Sequence, residues 1–390
     1  MYSAADHDFM AQAIRLAWRG LYSTTPNPRV GCVLVKGGAV VGEGWHERAG
    51  GPHAEVHALN AAGESARGAT AYVTLEPCSH HGRTPPCAEA LINAGVSRVV
   101  AAMQDPNPQV AGRGLARLAA AGIAAECGLL EMEARELNVG FISRMSRGRP
   151  WVRLKLAASL DRKTALHNGV SQWITGPEAR QDGHRWRARA CAILSGIGTV
   201  RDDDPQLNVR GVATDRQPLK VVVGSRLDLS PQARVLSGGP LLVIAAVADG
   251  EKAECLRRQG AEVIILPGAN GRVDLPELLN ELGRRGVNEL HVEAGARLNG
   301  ALLAAGVALP ALAQDKFPGI GRAATPKEVA AWDIDVRPDF KGLPPGKGTV
   351  AQGQDIWEER CASCHGFFGE SNSVFMPLVG GTTADDVKAG

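Results

Sequence analysis

Three potential metal ligands in the N-terminal part of the chain constrain its fold more than any other feature. They are His53, Cys78 and Cys87, and Glu55 stands two positions after the histidine. One imidazole and two thiolates can hold a tetrahedral zinc ion and leave its fourth position open for water. A fold that uses them in this way must bring three separate segments together. The competing interpretation is that they are core residues, since free cysteine behaves as a small hydrophobic side chain.

The order of these residues indicates hydrolytic chemistry. Zinc lowers the pKa of a bound water toward neutrality, and Glu55 beside that water would move protons. His-x-Glu followed by Pro-Cys and a second Cys is typical of zinc nucleobase deaminases, in which hydroxide attacks a ring carbon and ammonia leaves. The spacing departs from the usual Cys-x-x-Cys, because eight residues separate Cys78 from Cys87. The sequence predicts a deaminase with Glu55 as its catalytic residue.

Local patterns favour this arrangement. A strand-like apolar run, residues 69–75, precedes Cys78, and an apolar-periodic stretch begins at His53 after Pro52. A histidine and a cysteine at neighbouring helix starts would face one metal ion, where the helix dipole favours thiolate.

Composition excludes several classes of partner. The 390 residues predict two or three domains, and a net charge of +2 with 4% aromatic residues argues against a nucleic-acid surface. No apolar run is long enough to span a membrane. Residues 1–17 have an amphipathic helix pattern rather than that of a signal peptide. Six cysteines before residue 300 show no paired framework, which suggests a reducing, cytoplasmic location.

Helix and strand patterns alternate along the first 306 residues. Residues 1–148 predict a three-layer α/β domain around a mixed sheet, with strands at 30–35, 40–44, 71–75 and 96–103. We expect the boundary between the two domains at Gly148-Arg149-Pro150. The second series predicts largely parallel pairing of strands. Its strands are expected at 152–157, 190–197, 219–224, 241–246, 263–266 and 290–293, and its helices at Pro177–Arg189, 251–258 and 275–285.

Longer motifs run through both halves. The first half contains Pro26-Asn27-Pro28-Arg29-Val30-Gly31, the segment from Glu76-Pro-Cys78 to Pro86-Cys87, and Asp105-Pro-Asn107-Pro. The second half contains Lys155-Leu-Ala-Ala-Ser-Leu-Asp161, Ser171-Gln-Trp173-Ile-Thr175, Asp203-Asp204-Pro205 and Val292-Glu293-Ala-Gly295. By these motifs, residues 1–306 resemble the bifunctional deaminase/reductase family of riboflavin biosynthesis.

The resemblance implies a cytidine-deaminase-like domain (1–148) and a dihydrofolate-reductase-like domain (149–306). The first would deaminate 2,5-diamino-6-(5-phosphoribosylamino)pyrimidin-4-one, a small phosphorylated pyrimidine. The second would then reduce the ribosyl group to ribityl with NADPH. The family also implies a possible homo-oligomer.

Site residues follow from the same resemblance. It makes His53, Cys78 and Cys87 the Zn²⁺ ligands and Glu55 the proton donor. The implied substrate contacts are Asn27, His46, His80, Arg83, Ser171, Arg187, Leu207, Arg210 and Glu293. The implied NADPH contacts are Ala157, Trp173, Thr199, Asp203, Ser225, Gly295, Ala296, Arg297, Leu298, Asn299, Gly300 and Ala301.

Ordinary structural roles compete with several of these assignments. His80 could be polar surface, and Asn27 between two prolines could serve as a turn former. Trp173 and Leu207 could pack in the core, and Arg187 and Arg210 could be surface cations. The segment from Gly295 to Gly300 follows a predicted strand and begins a predicted helix, so its backbone N–H groups could bind an anion. It is not a Gly-x-Gly-x-x-Gly motif. Arg162 stands where the family usually has glycine. Arginine adopts a left-handed backbone conformation less easily than glycine, so the loop around Arg162 is expected to differ from that of the family.

The composition and the sequence pattern of the chain change after Gly306. Residues 300–313 resemble the end of a secretory signal with an Ala-x-Ala-type site at Ala311-Leu-Ala313, and residues 307–349 are interpreted as signal remnant and linker. Residues 350–390 resemble part of a c-type cytochrome. The haem motif is Cys361-Ala-Ser-Cys364-His365, with Met376 as candidate sixth ligand or core residue.

This change suggests two coding sequences joined together. We then expect a deaminase that works, a reductase impaired by the loss of a sheet strand, and no haem attached in the cytoplasm. Two other functions stay open at this stage. One is an electron carrier that uses the haem motif, and the other is a deaminase of tRNA or single-stranded DNA, which would need a basic, aromatic groove.

Overall fold

The computed structural model describes residues 2–79, 86–108, 110–158 and 174–306, together with Thr164 and His167. The described elements before residue 148 form one α/β domain, a sheet with helices packed against it. Its helices are α1 (Ala4–Trp18), α2 (Ala54–Ala62), α3 (Cys87–Ala94), α4 (Arg113–Ala120), α5 (Glu131–Leu137) and α6 (Val139–Arg147). Its strands are β1 (Gly31–Lys36), β2 (Ala39–Trp45), β3 (Thr70–Val73), β4 (Arg98–Ala101) and β5 (Ala124–Cys127).

The first sheet is mixed, as predicted. Its order is β2-β1-β3-β4-β5, with β1 antiparallel to both neighbours and β3, β4 and β5 parallel. The four predicted strands are present, although β4 is shorter than the apolar run that contains it. The sequence analysis missed β5, whose Ala-Ala-Glu-Cys segment lacks the β-branched residues that mark a strand.

Two glycines of β2 set the position of α2 and therefore of His53. A Cβ atom added to Gly42 would lie 2.3 Å from the Ala58 carbonyl oxygen, and one added to Gly44 would lie 2.5 Å from the Ala54 carbonyl oxygen. Without those side chains the helix rests directly on the strand. His53 is the N-cap of α2, so this close approach fixes the backbone position from which its ring extends.

The second part of the chain forms a parallel sheet. Its strands are β6 (Trp151–Lys155), β7 (Ala192–Gly196), β8 (Leu219–Val223), β9 (Leu241–Ala245), β10 (Ala261–Ile265) and β11 (Glu289–Glu293). The order is β10-β9-β8-β7-β11-β6, and every pairing between these described strands is parallel. The helices are α7 (Pro177–Arg189), α8 (Ile197–Asp203), α9 (Gly250–Arg258), α10 (Leu275–Arg284) and α11 (Ala296–Ala304).

Helices pack on both faces of this sheet. Leu278 and Leu282 of α10 and Leu302 of α11 are buried in one apolar cluster, while Leu256 of α9 and Val200 of α8 belong to another. Residues 300–304, which begin the segment that resembles a secretory signal, are therefore part of α11, and Leu302 among them is buried in the core of the second sheet.

The α/β class is confirmed for both sheets. The two sheets lie on either side of Gly148-Arg149-Pro150, while the predicted domain limits and the dihydrofolate-reductase-like assignment stay predictions. The haem motif residues Cys361, Cys364 and His365, and Met376, lie outside the described residues, as does Arg162. No described helix has both the length and the apolar character that a membrane span needs.

Candidate active sites

The three predicted metal ligands converge. Cys78 lies in the loop after β3, Cys87 is the first residue of α3, and their sulfurs and a ring nitrogen of His53 lie within 4.8 Å of one another. His53 Nδ1 is 3.2 Å from Cys87 Sγ and 3.6 Å from Cys78 Sγ. Ligand atoms around a tetrahedral zinc ion with ordinary Zn–S and Zn–N distances lie about 3.5 Å apart. The donor set and its spacing therefore fit zinc.

The surroundings of Cys78 favour a thiolate. Its sulfur accepts a hydrogen bond from the backbone N–H of Cys87, with a nitrogen to sulfur distance of 3.3 Å. Hydrogen bonds from the Cys87 thiol and the His53 ring, opposed by burial, lower the pKa of the Cys78 thiol to about 4. Thiolate is the form of cysteine that binds metal.

Glu55 lies beside these ligands and is buried. It occupies the first turn of α2, is 3% exposed, and lines a cavity of about 230 Å³. Burial raises the pKa of its carboxyl to about 7, against the opposing charge of His53. Other residues around the cavity are Asn27, His46, His53, Cys78, Asp105 and Asn107. A buried carboxyl at a cavity wall can both hold and release a proton near neutral pH.

His46 and Asn27 are joined in the wall of the same cavity. His46 is 2% exposed, and its Nδ1 lies 2.9 Å from the Pro52 carbonyl oxygen, to which it donates. Its Nε2 therefore accepts from the Asn27 side-chain amide at 3.1 Å. Burial lowers the pKa of His46, and its ring packs edge-on against the ring of His53. This contact fixes the orientation of the Asn27 amide by using one N–H of its NH₂ group, and its side-chain oxygen can accept a hydrogen bond.

Glu76 is a site residue to which the sequence analysis assigned no role. Its carboxylate is 3% exposed and accepts four backbone N–H groups at 2.8–3.2 Å. The donors are Asp105, Gly112, Gly114 and Leu115. The contacts tie the loop that carries Asp105 and Asn107 to the segment before Cys78. The indications in the sequence were its place at the start of the Glu76-Pro-Cys78 motif and directly after an apolar run.

In the second half, two predicted substrate residues contact each other. Arg187 donates to both carboxylate oxygens of Glu293, at 2.5 and 2.8 Å, and to the Asn208 carbonyl oxygen at 2.9 Å. Burial opposes ionisation of Glu293, but the hydrogen bonds and the charge of Arg187 hold its pKa well below the usual range. The side chain of Arg187 is 14% exposed, so it is not a free surface cation.

The predicted cofactor residues lie after the carboxyl ends of parallel strands. Thr199 follows β7, Ser225 follows β8, and the segment 295–301 follows β11. Such ends meet at one edge of the sheet, where open α/β sheets bind their ligands. Thr199 Oγ1 lies 3.8 Å from the position that a Cβ of Gly295 would take, so two of these segments are in contact.

The other predicted site residues of the second half differ in how exposed they are. Asn299 is 4% exposed and its side chain donates to the Ala294 carbonyl oxygen at 2.8 Å. Leu207 is buried in an apolar cluster, whereas Asp203 and Arg210 are exposed and Ala157 is half-buried. The predicted contacts His80, Arg83, Ser171 and Trp173 lie outside the described residues.

Comparison with known proteins agrees with this two-part organisation. Residues 3–103 match the zinc-binding region of cytidine and deoxycytidylate deaminases, and residues 150–308 match the RibD C-terminal domain. The riboflavin biosynthesis protein RibD of Escherichia coli (strain K12) is 51% identical over 316 residues, a match that covers 77% of this chain and 85% of the relative. The chain belongs to the RibD family.

Other RibD proteins and solved structures agree. The RibD protein of Haemophilus influenzae is 50% identical, with 77% of this chain and 83% of the relative covered. A structure of Acinetobacter baumannii RibD superposes with a TM-score of 0.73 at 47% identity, covering 78% of this chain and 84% of that one. A deaminase/reductase structure from Thermotoga maritima gives a TM-score of 0.70 at 37% identity, covering 77% and 84% of the two chains.

RibD membership confirms the predicted function. The chain is an enzyme of riboflavin biosynthesis with a zinc-binding deaminase domain and a reductase domain.

Proposed function

We propose that the first domain removes an amino group from 2,5-diamino-6-(5-phosphoribosylamino)pyrimidin-4-one and that the second reduces the ribosyl side chain of the product with NADPH. The observation that carries the proposal is the convergence of His53, Cys78 and Cys87 beside buried Glu55 at a cavity. The name of the Thermotoga maritima relative, a diaminohydroxyphosphoribosylaminopyrimidine deaminase and 5-amino-6-(5-phosphoribosylamino)uracil reductase, supports the choice of substrates.

In the deaminase site, the one imidazole and two thiolates would hold the zinc ion. Zinc when bound supplies a Lewis acid that lowers the pKa of water. Glu55 would take a proton from the attacking water and give it to the departing amino group. In the balanced reaction, water replaces the amino group and ammonia leaves.

Asn27 would orient the pyrimidine ring. Because His46 engages its NH₂ group, the side-chain oxygen of Asn27 can accept a hydrogen bond from a ring amino group. We therefore propose that His46 acts through Asn27 rather than by contact with the substrate. Arg83 and His80 remain predictions as contacts for the phosphate, to which an arginine fork is well suited.

In the reductase site, the Arg187–Glu293 pair would face the sugar and Thr199, Ser225 and the start of α11 would receive the cofactor. NADPH supplies the hydride, so the protein has to position the cofactor against the substrate carbon. The backbone N–H groups in the first turn of α11 can receive a phosphate. Preference for NADPH over NADH stays a proposal based on the family.

A substitution of Glu55 tests the deaminase mechanism. We expect Glu55→Gln to reduce ammonia release from the diaminopyrimidine by about 100-fold or more, the usual contribution of a general acid–base group. Zinc content and NADPH oxidation with the deaminated intermediate should not change. Glu64→Gln, at an exposed position just after α2, is the matched control and should keep full activity. Unchanged turnover in Glu55→Gln would contradict the assignment.

The C-terminal segment stays a prediction. The two family matches end at residues 103 and 308, so they do not bear on a cytochrome fragment at 350–390 or on haem ligation by Cys361, Cys364, His365 and Met376. We propose that the chain acts in the cytoplasm without haem c. A pyridine haemochrome assay on the purified protein checks this, and a stoichiometric haem signal would refute it.

A further inference from the structure

A loop of the deaminase domain lies between its cavity and the reductase domain. This Asn27 loop, residues 22–29, carries the Asn27 side chain at the cavity. Several of its other groups are bound by side chains that belong to the second half of the chain. The reductase domain thus contacts the loop that carries Asn27.

Side chains of the second half contact the loop at four residues, Tyr22, Thr25, Pro26 and Arg29, and Thr25 Oγ1 lies 2.7 Å from Cys191 Sγ. The Tyr22 carbonyl oxygen accepts a hydrogen bond from Arg216 Nε at 3.3 Å, and the Pro26 carbonyl oxygen accepts from Asn288 Nδ2 at 2.9 Å. Arg29 Nη1 donates to Glu289 Oε1 at 2.6 Å. The contact at Pro26 involves the residue that directly precedes Asn27.

Asn288 holds one particular peptide group. The Pro26 carbonyl that it binds and the Asn27 N–H belong to the same planar unit. That N–H donates to the Thr24 carbonyl oxygen at 2.9 Å. Both polar atoms of the peptide are therefore bound, so the plane cannot rotate without breaking a hydrogen bond. The orientation of this plane sets the direction in which the Asn27 side chain leaves the backbone.

The Asn288 amide is itself fixed. The residue is 6% exposed and directly precedes β11, and its Oδ1 accepts from Arg144 Nε at 2.6 Å. Arg144 Nη2 also reaches the Pro26 carbonyl oxygen, at 3.3 Å. The acceptor side of the amide is thus committed to Arg144, which leaves the NH₂ group directed at the loop.

We infer that Asn288, a residue of the reductase domain, is a positioning residue of the deaminase reaction. It fixes the Pro26–Asn27 peptide and thereby holds the Asn27 side chain at the cavity against His46. The inference rests on the proposed contact between Asn27 and the pyrimidine. Its consequence is that the deaminase site is complete only when the two domains are docked.

Asn288 is not the only residue beside which the two described halves are joined. Buried Glu289 contacts Arg29 at 2.6 Å, Arg189 at 2.7 Å and Arg153 at 3.3 Å, so an ion cluster joins the two halves next to Asn288. A change of Asn288 that leaves this cluster intact should loosen the loop without separating the domains. This makes a positioning role distinguishable from a purely structural one.

The test uses Asn288→Asp in the full-length chain. Aspartate keeps the volume and the acceptor for Arg144 but cannot donate to the Pro26 carbonyl. The matched control is Asn270→Asp, an exposed position of the same domain at which aspartate also tolerates the left-handed backbone. Ammonia release, NADPH oxidation, zinc content and thermal unfolding are measured for both variants and for the parent chain.

We expect the deaminase KM of Asn288→Asp to rise about five- to tenfold, the effect of one lost hydrogen bond on substrate binding. Its deaminase kcat, its zinc content and both reductase constants should stay within about twofold of the control. If the aspartate variant does not fold, Asn288→Ala is measured in its place. An unchanged deaminase KM, or a parallel loss of both activities with stability, would overturn the inference. Failure of the parent chain to release ammonia would instead refute the proposed function.

Discussion

The carboxylate of Glu76 offers a sharp test of how the deaminase site is built. Oε1 accepts the backbone N–H groups of Gly114 and Leu115, and Oε2 accepts those of Asp105 and Gly112. In Glu76→Gln one oxygen becomes an NH₂ group. Whichever way the amide turns, two of the four N–H groups then face a donor instead of an acceptor.

The geometry sets the expected magnitude. A buried donor that loses its acceptor costs about 1–3 kcal/mol, so two such donors predict a loss of about 2–6 kcal/mol in the free energy of unfolding. The lower half of that range is the better expectation, because only the Gly114 contact among the four is fully buried and water can reach the others. The loop that carries Asp105 and Asn107 should also move, which should raise the deaminase KM.

The assay is thermal and urea unfolding of the full-length protein, with zinc release recorded alongside. Two sheets in one chain need not unfold together, so the transition that coincides with zinc release is the one to compare. Glu133→Gln makes the same chemical change at an exposed position of α5 and should alter stability by less than about 0.5 kcal/mol. If Glu76→Gln were as stable as Glu133→Gln, the four hydrogen bonds would not have the energetic role assigned to them.

Two further predictions concern stability. Burial opposes ionisation of Asp6, but hydrogen bonds from Tyr72, Ser3 and Arg98 hold its pKa well below the usual range. The charged form therefore stabilises the fold above the unfolded pKa of about 3.9, and the advantage of the parent chain over Asp6→Asn in urea unfolding should shrink as the pH falls below that value. The second prediction concerns glycines inside helices. The methyl group that Gly183→Ala adds in α7 has no atom within 4 Å apart from its neighbours along the helix backbone, so this variant should raise the free energy of unfolding by about 0.5–1 kcal/mol. Gly283→Ala in α10 would bring a Cβ within 1.9 Å of the Gly148 carbonyl oxygen and should lower the free energy of unfolding by about 1–3 kcal/mol. Equal melting temperatures for the two variants would contradict the packing described.

The sequence by itself determined which residue types could do the chemistry. His53, Cys78, Cys87 and Glu55 are recognisable because metal chemistry accepts few side chains and the motif orders them. Helix α7 was predicted with the bounds Pro177–Arg189 that the structure has, since proline at a helix start and the pattern that follows are local features.

Tertiary structure alone decided how those residues are held. Glu76 finds its four donors 29 to 39 residues further along the chain, and Arg29 meets Glu289 across 260 residues. Nor could any local pattern have linked Asn288 to the Asn27 loop. The physical reason is that periodicity reports which face of one element is buried, whereas the partner of a buried polar group is set by the element that packs against it.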